Sequence, residues 1–350
     1  MNNPFTLSFG TLPEQFISRP RQTDTILSDF LADKPGTNTY MITGVRGSGK
    51  TVMLTEIAMR LSERDDWVAV ELNPEYEMMD ALASKLYNLE NVKPFFAKAR
   101  INLSVAGSGA SVEKTGPSMT SEVIVEKMLK VLAKHGKRLI ITVDEVSNSE
   151  YVKKFAHSYQ IMLRNGYPVY LIMTGLYENI YDLQNEKTLT FLYRVPRLVL
   201  EPLNLPTVAG TYATVFDISA EEAAAMAALT KGYPFAFQVL GYIKWIQKGR
   251  ALNQIIPEYD HYLAEYIYDK IWHELSDTDR RVVLAMSGSE DYMKIQTLRE
   301  ALEMSSSLFS TYREKLIRKG LVDVSKYGYI GLILPRFREF AVARNEYDSM

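Results

Sequence analysis

The chain has 350 residues, 47% of them hydrophobic and 23% charged, and its 40 basic and 42 acidic side chains leave a net charge of −2. This balance excludes a wholly basic nucleic-acid binder and an acidic solvating tail, and the absence of cysteine excludes disulfides, thiol catalysis and thiolate metal sites. At roughly 150 residues per domain, we expect two or three domains.

The first two hundred residues alternate short apolar runs with amphipathic helical patterns, which is typical of a parallel sheet with crossover helices. Four strands are predicted in this part, at Thr39–Thr43, Trp67–Leu72, Arg138–Val143 and Pro168–Thr174. One stretch departs from the rhythm, because apolar and polar residues alternate on both sides of Gly107-Ser108-Gly109. We interpret residues 99–117 as an inserted β-hairpin within a core domain that spans residues 1–204.

The strand signal fades after Pro202. Ser219 opens a capping box that leads into an alanine-rich helix, and this helix is predicted to stop at Gly232-Tyr233-Pro234. We therefore predict a helical domain over residues 205–274, which would follow the core as a lid.

A third pattern fills residues 275–350. Helices are predicted at Asp277–Met286, near Ile295–Leu302 and at Ser307–Arg318, and alternating apolar residues follow as far as Leu332. Three helices followed by a short β-ribbon form the element order of a winged helix.

The motif that carries chemistry follows the first predicted strand. It matches G-x-x-x-x-G-K-[ST], the phosphate-binding P-loop, with Gly44-Val45-Arg46-Gly47-Ser48-Gly49-Lys50-Thr51. The glycines allow backbone conformations that a Cβ would penalise, so that N–H groups can turn inward around phosphate oxygens. Lys50 supplies a charge for the β- and γ-phosphates, and the Thr51 hydroxyl is placed to ligate Mg²⁺. An α/β P-loop NTPase core is therefore predicted.

Two adjacent carboxylates end the third predicted strand. Asp144 is the candidate Mg²⁺ ligand, and Glu145 is the candidate general base that activates the attacking water. Thr174 ends the next strand and either lies beside the γ-phosphate as a catalytic residue or caps the following helix. Arg194 and Arg197 lie near the final core strand, where an arginine finger towards a neighbouring subunit and a surface salt bridge are the alternatives.

Neither a metal site nor a membrane segment is predicted beyond these motifs. The four histidines have no metal-binding spacing, and no run approaches the roughly 18 apolar residues of a membrane span. The first residues also lack the basic and apolar regions of a leader. We expect a cytoplasmic protein.

Together, the P-loop, the acid pair, Gly232-Tyr233-Pro234 and the trailing winged helix resemble the STAND/AAA+ group. The chain is most similar there to the archaeal-type ATPases, relatives of the origin-initiator ATPases. The resemblance implies ATP or ADP as the nucleotide. It also implies that Phe16, Ile17 and Arg19 pack near the adenine and that Pro234 contacts the nucleotide. The chain departs from the initiator pattern because no clear lid arginine follows the glycine motif, which implies slow hydrolysis.

Duplex DNA is a candidate partner of the predicted winged helix. The basic residues that could contact it are Arg313, Lys315, Arg318, Lys319 and Lys326. Residues 276–350, however, are almost balanced in charge, and in STAND proteins a winged helix often serves as an internal contact instead. The partner could equally be an unknown protein or a second copy of the chain.

Three functions remain open at this point. The first is a nucleotide-operated switch that hydrolyses ATP slowly. The second is a DNA-binding ATPase of initiator or transposition-helper type, and the third is a non-hydrolysing module that uses nucleotide as a structural cofactor. An intact Glu145 argues against the third.

Overall fold

A computed structural model describes residues 2–8, 13–99, 101, 119–289 and 292–348. The predicted β-hairpin at residues 99–117 falls almost entirely outside the described residues. Within them, the chain forms a five-stranded parallel sheet with its helices, a helical region, and a C-terminal unit with a three-stranded antiparallel sheet. This arrangement confirms the predicted fold class.

The core sheet has the strand order β2-β3-β4-β1-β5, with all neighbours parallel. Its strands are β1 (Thr39–Thr43), β2 (Trp67–Leu72), β3 (Arg138–Val143), β4 (Val169–Gly175) and β5 (Arg197–Val199). The bounds of the first three match the prediction, and β4 is displaced by one residue from it. Strands β1 and β4 are buried along their whole length and β3 at every residue but Arg138, which explains their near-continuous apolar sequence.

Helices cover both faces of this sheet. They are α1 (Pro20–Leu31), α2 (Lys50–Ser62), α3 (Met78–Asn88), α4 (Lys93–Lys98), α5 (Ser121–Lys134), α6 (Glu150–Arg164) and α7 (Tyr177–Gln184), followed by a 3₁₀ turn at Thr190–Arg194. One hydrophobic cluster contains residues of α1 and α2, and a larger one on the other face contains residues of α3, α5 and α6.

The helical region follows β5. It comprises α8 (Leu205–Phe216), α9 (Ala220–Thr230), α10 (Pro234–Ile246), α11 (Leu252–Leu263), a π-helical turn (Ala264–Tyr268) and α12 (Asp269–His273). Ser219 caps α9 by accepting a hydrogen bond from the Glu222 N–H at 3.2 Å, and α9 ends before Gly232, where φ is +71°. Pro234 begins α10, a position where its missing N–H costs nothing.

The C-terminal unit has the element order of a winged helix, with additions that the sequence did not reveal. Its elements are α13 (Asp277–Met286), β6 (Tyr292–Lys294), α14 (Ile295–Ala301), α15 (Ser306–Arg318), β7 (Val322–Asp323), β8 (Tyr329–Leu332) and α16 (Phe337–Asp348). Strand β8 pairs antiparallel with both β6 and β7. Strand β6 and helix α16 were not predicted, because three-residue strands have almost no periodicity and α16 follows directly on the predicted ribbon.

Two packing contacts cross the predicted domain boundaries. Phe5 lies within the hydrophobic cluster of the helical region, where its ring packs against Gly241, Phe216 and Phe237. The helical region and the C-terminal unit also share this single cluster. The boundaries at 204 and 274 therefore stay a prediction.

Candidate functional site

The carboxyl ends of three adjacent strands meet at one edge of the core sheet. Strand β4 lies between β1 and β3, with Thr43 opposite Gly175 and Val143 opposite Met173. The P-loop follows β1 and Asp144 follows β3, so the topology places both at the same edge. In open α/β sheets this edge is where ligands bind.

The P-loop turns from β1 into α2 through two glycines with positive φ, +70° at Gly47 and +86° at Gly49. Lys50 begins the helix and is buried, and its Nζ donates to the carbonyl oxygens of Gly44 at 3.0 Å and Val45 at 2.9 Å. The ammonium group is therefore held by carbonyl dipoles rather than by a carboxylate.

Burial lowers the pKa of Lys50 to about 8. The negative charges of Asp144 and Glu145 oppose this shift, and the positive charge of Arg46 adds to it. Desolvation is the largest cause, as expected for a cation in a site from which water is largely excluded.

Asp144 is held by hydrogen bonds to both of its carboxylate oxygens. Thr51 Oγ1 donates to Oδ2 at 2.6 Å, and Oδ1 accepts from Thr174 Oγ1 and from the Glu145 N–H at 3.0 Å. The predicted pair of Mg²⁺ ligands, Thr51 and Asp144, is thus in direct contact across the gap between β1 and β3.

The sequence allowed Thr174 either a place beside the γ-phosphate or a role as cap of the following helix. Its side chain is fully buried and the N-cap of α7 is Leu176, so Thr174 does not cap that helix. Strand β4 lies directly beside β3, and the Thr174 hydroxyl donates to the Asp144 carboxylate. Thr174 can therefore orient Asp144, and its catalytic role beside the γ-phosphate stays a prediction.

Glu145 occupies the left-handed region with φ of +54°, which is uncommon for a residue with a side chain. Backbone conformations of this kind cost on the order of 1–3 kcal/mol and concentrate at functional sites. Its side chain is exposed, lines the cavity, and makes no hydrogen bond or ion pair within the described part of the chain. Its carboxylate is therefore open to the cavity.

A cavity of about 680 Å³ lies between the core and the helical region. The predicted site residues that line it are Phe16, Ile17, Arg19, Arg46, Gly47, Gly49, Lys50, Thr51, Asp144, Glu145 and Pro234. The other three loop residues, Gly44, Val45 and Ser48, do not line it. Arg19 also braces the P-loop, because its Nη2 donates to the carbonyl oxygens of Ser48 and Glu201, both at 3.0 Å.

The cavity wall also contains polar residues that the sequence did not point to, among them Asn179, Gln238 and Lys270. Asn179 lies on α7, Gln238 on α10 and Lys270 on α12, and none belongs to a recognisable motif. Gln238 joins the N-terminal segment to the helical region by accepting from the Thr6 N–H at 3.1 Å. Lys270 lies just after the π-helical turn, and such turns are frequent at functional sites.

The helical region is tied to the P-loop at Arg46 as well as through α10. The Arg46 guanidinium forms an ion pair with Glu274 at 3.0 Å, and the Tyr233 hydroxyl donates to the Arg46 carbonyl oxygen. The side chain and the backbone of one loop residue are thus both held from outside the core.

The basic residues predicted to contact DNA are largely engaged within the chain. Lys315 pairs with the buried Asp279 at 2.6 Å, and Lys319 pairs with Glu178 of α7 at 3.4 Å. Arg318 pairs with Glu314 and lies 4.2 Å from the centre of the Tyr181 ring, also on α7.

The two remaining DNA candidates differ in exposure. Arg313 is half-buried, and its Nε has no hydrogen-bond partner in the described structure. Lys326 is exposed near the wing tip, where its ammonium lies 4.2 Å from the centre of the Tyr329 ring. Neither of these two side chains has an acidic partner among the described residues, and Lys326 is the more exposed of the two.

Arg194 and Arg197 are both exposed and do not line the cavity. Neither of them forms an ion pair with another described residue, so a surface salt bridge stays a prediction as well. A role towards a neighbouring subunit stays a prediction.

Known proteins similar to this chain share its architecture at low sequence identity. A Walker-type ATPase of Pyrococcus abyssi matches with a TM-score of 0.66 and 14% identity, covering 97% of this chain and 99% of that one. The ORC2 protein of Aeropyrum pernix, solved as ADPNP-ADP complexes, matches with a TM-score of 0.61 and 13% identity over 98% and 97%. Both likenesses extend from the core through the helical region to the C-terminal unit.

Comparison with models of protein families gives a match in the C-terminal part of the chain. Residues 265–341 match a domain of unknown function, DUF8462, which spans the end of the helical region and most of the C-terminal unit. A search of curated proteins found no match. The described chain contains no helix that is long and apolar enough to cross a membrane. The chain therefore shares the fold of the Walker-type ATPase and of the ORC2 protein, in agreement with the fold class that the sequence predicted.

Proposed function

We propose that the protein is a Mg²⁺-dependent ATPase that acts as a nucleotide-operated switch. The observation that carries this proposal is the cavity in which the P-loop, the Asp144-Glu145 pair and the helical region converge. An ATP molecule would place its phosphates on the P-loop and its base towards Phe16 and Ile17. The helical region would then close the site as a lid.

The chain's own residues would divide the chemistry among them. Lys50 would leave its two carbonyl partners for the β- and γ-phosphates, where its charge offsets the negative charge of the transition state. Glu145 would accept the proton of the attacking water, since its carboxylate faces the cavity without a competing partner. Thr174 would keep Asp144 in one orientation throughout.

The oxygen ligands at the site fit Mg²⁺. Thr51 offers a hydroxyl and Asp144 a carboxylate, and Mg²⁺ is usually held by one or two such groups together with substrate phosphates and water. Thr51 and Asp144 would hold the ion, whose chemistry when bound is to offset part of the negative charge of the phosphates.

A switch function is supported by the number of elements that meet at the P-loop. The lid contacts Arg46 and Gly47, and the C-terminal unit packs against Val45 through Gly320. A change in the phosphates held by the loop would therefore alter contacts with both. Duplex DNA is not proposed as a partner in this arrangement, because α15 would have to leave α7 before Arg318 and Lys319 could reach phosphate.

The test is nucleotide binding and steady-state ATP hydrolysis with Mg²⁺, comparing the wild type with Lys50→Ala and Glu145→Gln. Lys50→Ala should abolish binding. Glu145→Gln should keep the wild-type affinity but lower turnover by about 100-fold or more, the contribution of a general base. Glu145→Gly serves as the control, because it removes the carboxylate together with the backbone strain that a side chain causes at a positive φ. Equal turnover in Glu145→Gln and wild type would refute the assignment of the base.

A further inference from the structure

The carbonyl oxygens of the P-loop need hydrogen-bond donors, just as its N–H groups need an acceptor such as phosphate. When a loop turns its amides towards an anion, the peptide units point their carbonyls the other way, and buried carbonyls left unpaired are costly. Lys50 Nζ donates to the carbonyl oxygens of Gly44 and Val45, and the Ser48 N–H also donates to the Val45 carbonyl at 3.2 Å. Arg19 serves Ser48 at 3.0 Å. Every one of these donors belongs to the core domain or the segment leading into it.

The two carbonyls in the middle of the loop obtain their donors from the helical region. The Tyr233 hydroxyl donates to Arg46, and the Phe235 N–H donates to Gly47 at 3.2 Å. The described structure gives these two carbonyls no other donor. Pro234 begins α10 and has no N–H, and the Phe235 N–H in the first turn of that helix donates to the P-loop.

The fit between Tyr233 and the loop is close enough to require glycine at position 47. A Cβ there would lie 2.4 Å from the Tyr233 hydroxyl oxygen and 2.8 Å from Phe235 Cβ. Tyr233 is itself buried, and this burial raises its pKa far above the ordinary tyrosine value. The hydroxyl therefore stays protonated and remains a donor at any physiological pH.

One peptide unit links the Tyr233 contact to the phosphate side of the loop. The Arg46 carbonyl and the Gly47 N–H belong to the same planar group and point in opposite directions. Holding the carbonyl outward fixes the N–H inward, and Gly47 lines the cavity. The amide of Gly47 has no hydrogen-bond acceptor among the described residues, so it is free for a phosphate oxygen.

We propose that Tyr233 is a positioning residue through which the lid sets the shape of the phosphate-binding loop. With the lid seated, the Tyr233 hydroxyl orients the 46–47 peptide for phosphate; with the lid displaced, the peptide loses that restraint. This rests on the proposed nucleotide site. It assigns the coupling between lid and loop to the variable residue of Gly232-Tyr233-Pro234, rather than to a side chain that touches the nucleotide.

The test uses the full-length Tyr233→Phe variant, which keeps the ring and removes only the donor. Tyr259→Phe is the matched control, because Tyr259 is equally buried in the same region and its hydroxyl also donates to a backbone carbonyl, that of Leu229 at 3.2 Å. We expect Tyr233→Phe to weaken ADP affinity by about three- to tenfold, the effect of one hydrogen bond, and Tyr259→Phe to leave it within twofold. Equal losses in the two variants, or no loss in Tyr233→Phe, would overturn the proposal.

A second measurement needs no nucleotide. Amide hydrogen exchange over residues 44–49 of the free protein should be at least threefold faster in Tyr233→Phe than in the wild type or in Tyr259→Phe. Equal exchange in all three would overturn the inference. Failure of the wild type to bind ADP would refute the proposed function instead, and the exchange result would still decide whether Tyr233 shapes the loop.

Discussion

Lys50 of the P-loop and the basic residues at the end of α15 lie on segments that touch, but their charged groups have different kinds of partner. Lys50 has only backbone carbonyls as partners, whereas Lys315, Arg318 and Lys319 each face a carboxylate. A cation held by dipoles can move to a polyanion without leaving a buried negative charge behind. A cation already paired must first break its ion pair.

A cluster of basic residues therefore does not by itself indicate a nucleic-acid surface. The basic side chains of α15 have a helical spacing that suits a DNA groove, yet the spacing also suits the acidic and aromatic face of α7. The two uses cannot be separated by net charge. They are separated by which neighbour lies within reach, and that is a property of the tertiary structure.

The largest effect is expected from a substitution at the point where α15 meets the P-loop. Gly320 follows α15 with φ of +68°, and a Cβ there would lie 2.5 Å from Val45 Cγ1 and 2.4 Å from the Tyr177 ring. Gly320→Ala should therefore lower the free energy of unfolding by about 2–4 kcal/mol, from left-handed strain and overpacking together. Urea unfolding measures the loss, and faster tryptic cleavage after Lys319 would report release of α15.

The control for Gly320→Ala is Gly328→Ala. Gly328 also has a positive φ, +78°, but nothing lies within 4 Å of the position its Cβ would occupy. Alanine there should cost only the backbone strain, about 1–2 kcal/mol. If the two variants lost the same stability and trypsin cut both equally, the contact between α15 and the P-loop would contribute nothing.

The parts of the molecule that could be predicted are those set by local chemistry. Strands β1, β2 and β3 were predicted at their observed bounds because buried parallel strands are continuously apolar, and the P-loop was recognised because its glycines, Lys50 and Thr51 stand at fixed spacing. The acid pair followed from its place at a strand end. All of these signals lie within a few residues of the chemistry they specify.

The parts that could not be predicted depend on contacts between distant segments. The contact between the Thr174 hydroxyl and Asp144 is one of these, because it depends on β4 lying beside β3. Lys270 lines the cavity from α12, although it is far along the chain from the glycine motif. Tyr233 was noted only as the variable residue of that motif, and its hydroxyl bond to Arg46 requires the lid to be docked.

A smaller effect is expected for the pH dependence of ADP binding, which depends on Lys50 in the P-loop. Since the pKa of Lys50 is lowered to about 8, the amine loses its proton as the pH rises through that value, and only the protonated form attracts phosphate. ADP affinity should be constant well below pH 8 and fall above it by up to about tenfold per pH unit. Calorimetry at pH 7, 8.5 and 9.5 measures this, with proton uptake at the higher values.

Lys50→Arg provides the control for the pH dependence, because arginine stays protonated throughout this range. Its affinity is expected to be weaker than that of the wild type, since the guanidinium does not fit the same position, but its pH profile should be flat. A profile that falls equally in both proteins would assign the titration to another group.

The smallest effect concerns the α15 side of the comparison. Lys319 is mostly buried and Glu178 about half-exposed, and at 3.4 Å such a pair contributes about 0.2–1 kcal/mol. Lys319→Glu should destabilise the protein by that amount, and adding Glu178→Lys should recover most of it in a double-mutant cycle measured by urea unfolding. Additive losses would mean that the two side chains do not interact.

The same pair decides whether α15 has a second use. Glu178→Gln releases Lys319 from its partner without adding a positive charge to α7. If α15 can bind DNA once freed from the core, this variant should be retained on duplex DNA more strongly than the wild type at low salt, and the gain should vanish as salt rises. Retention equal to that of the wild type at every salt concentration would mean that the positive charge of α15 serves to dock the C-terminal unit beside the P-loop. The basic helix would then belong to the nucleotide switch rather than to a nucleic-acid surface.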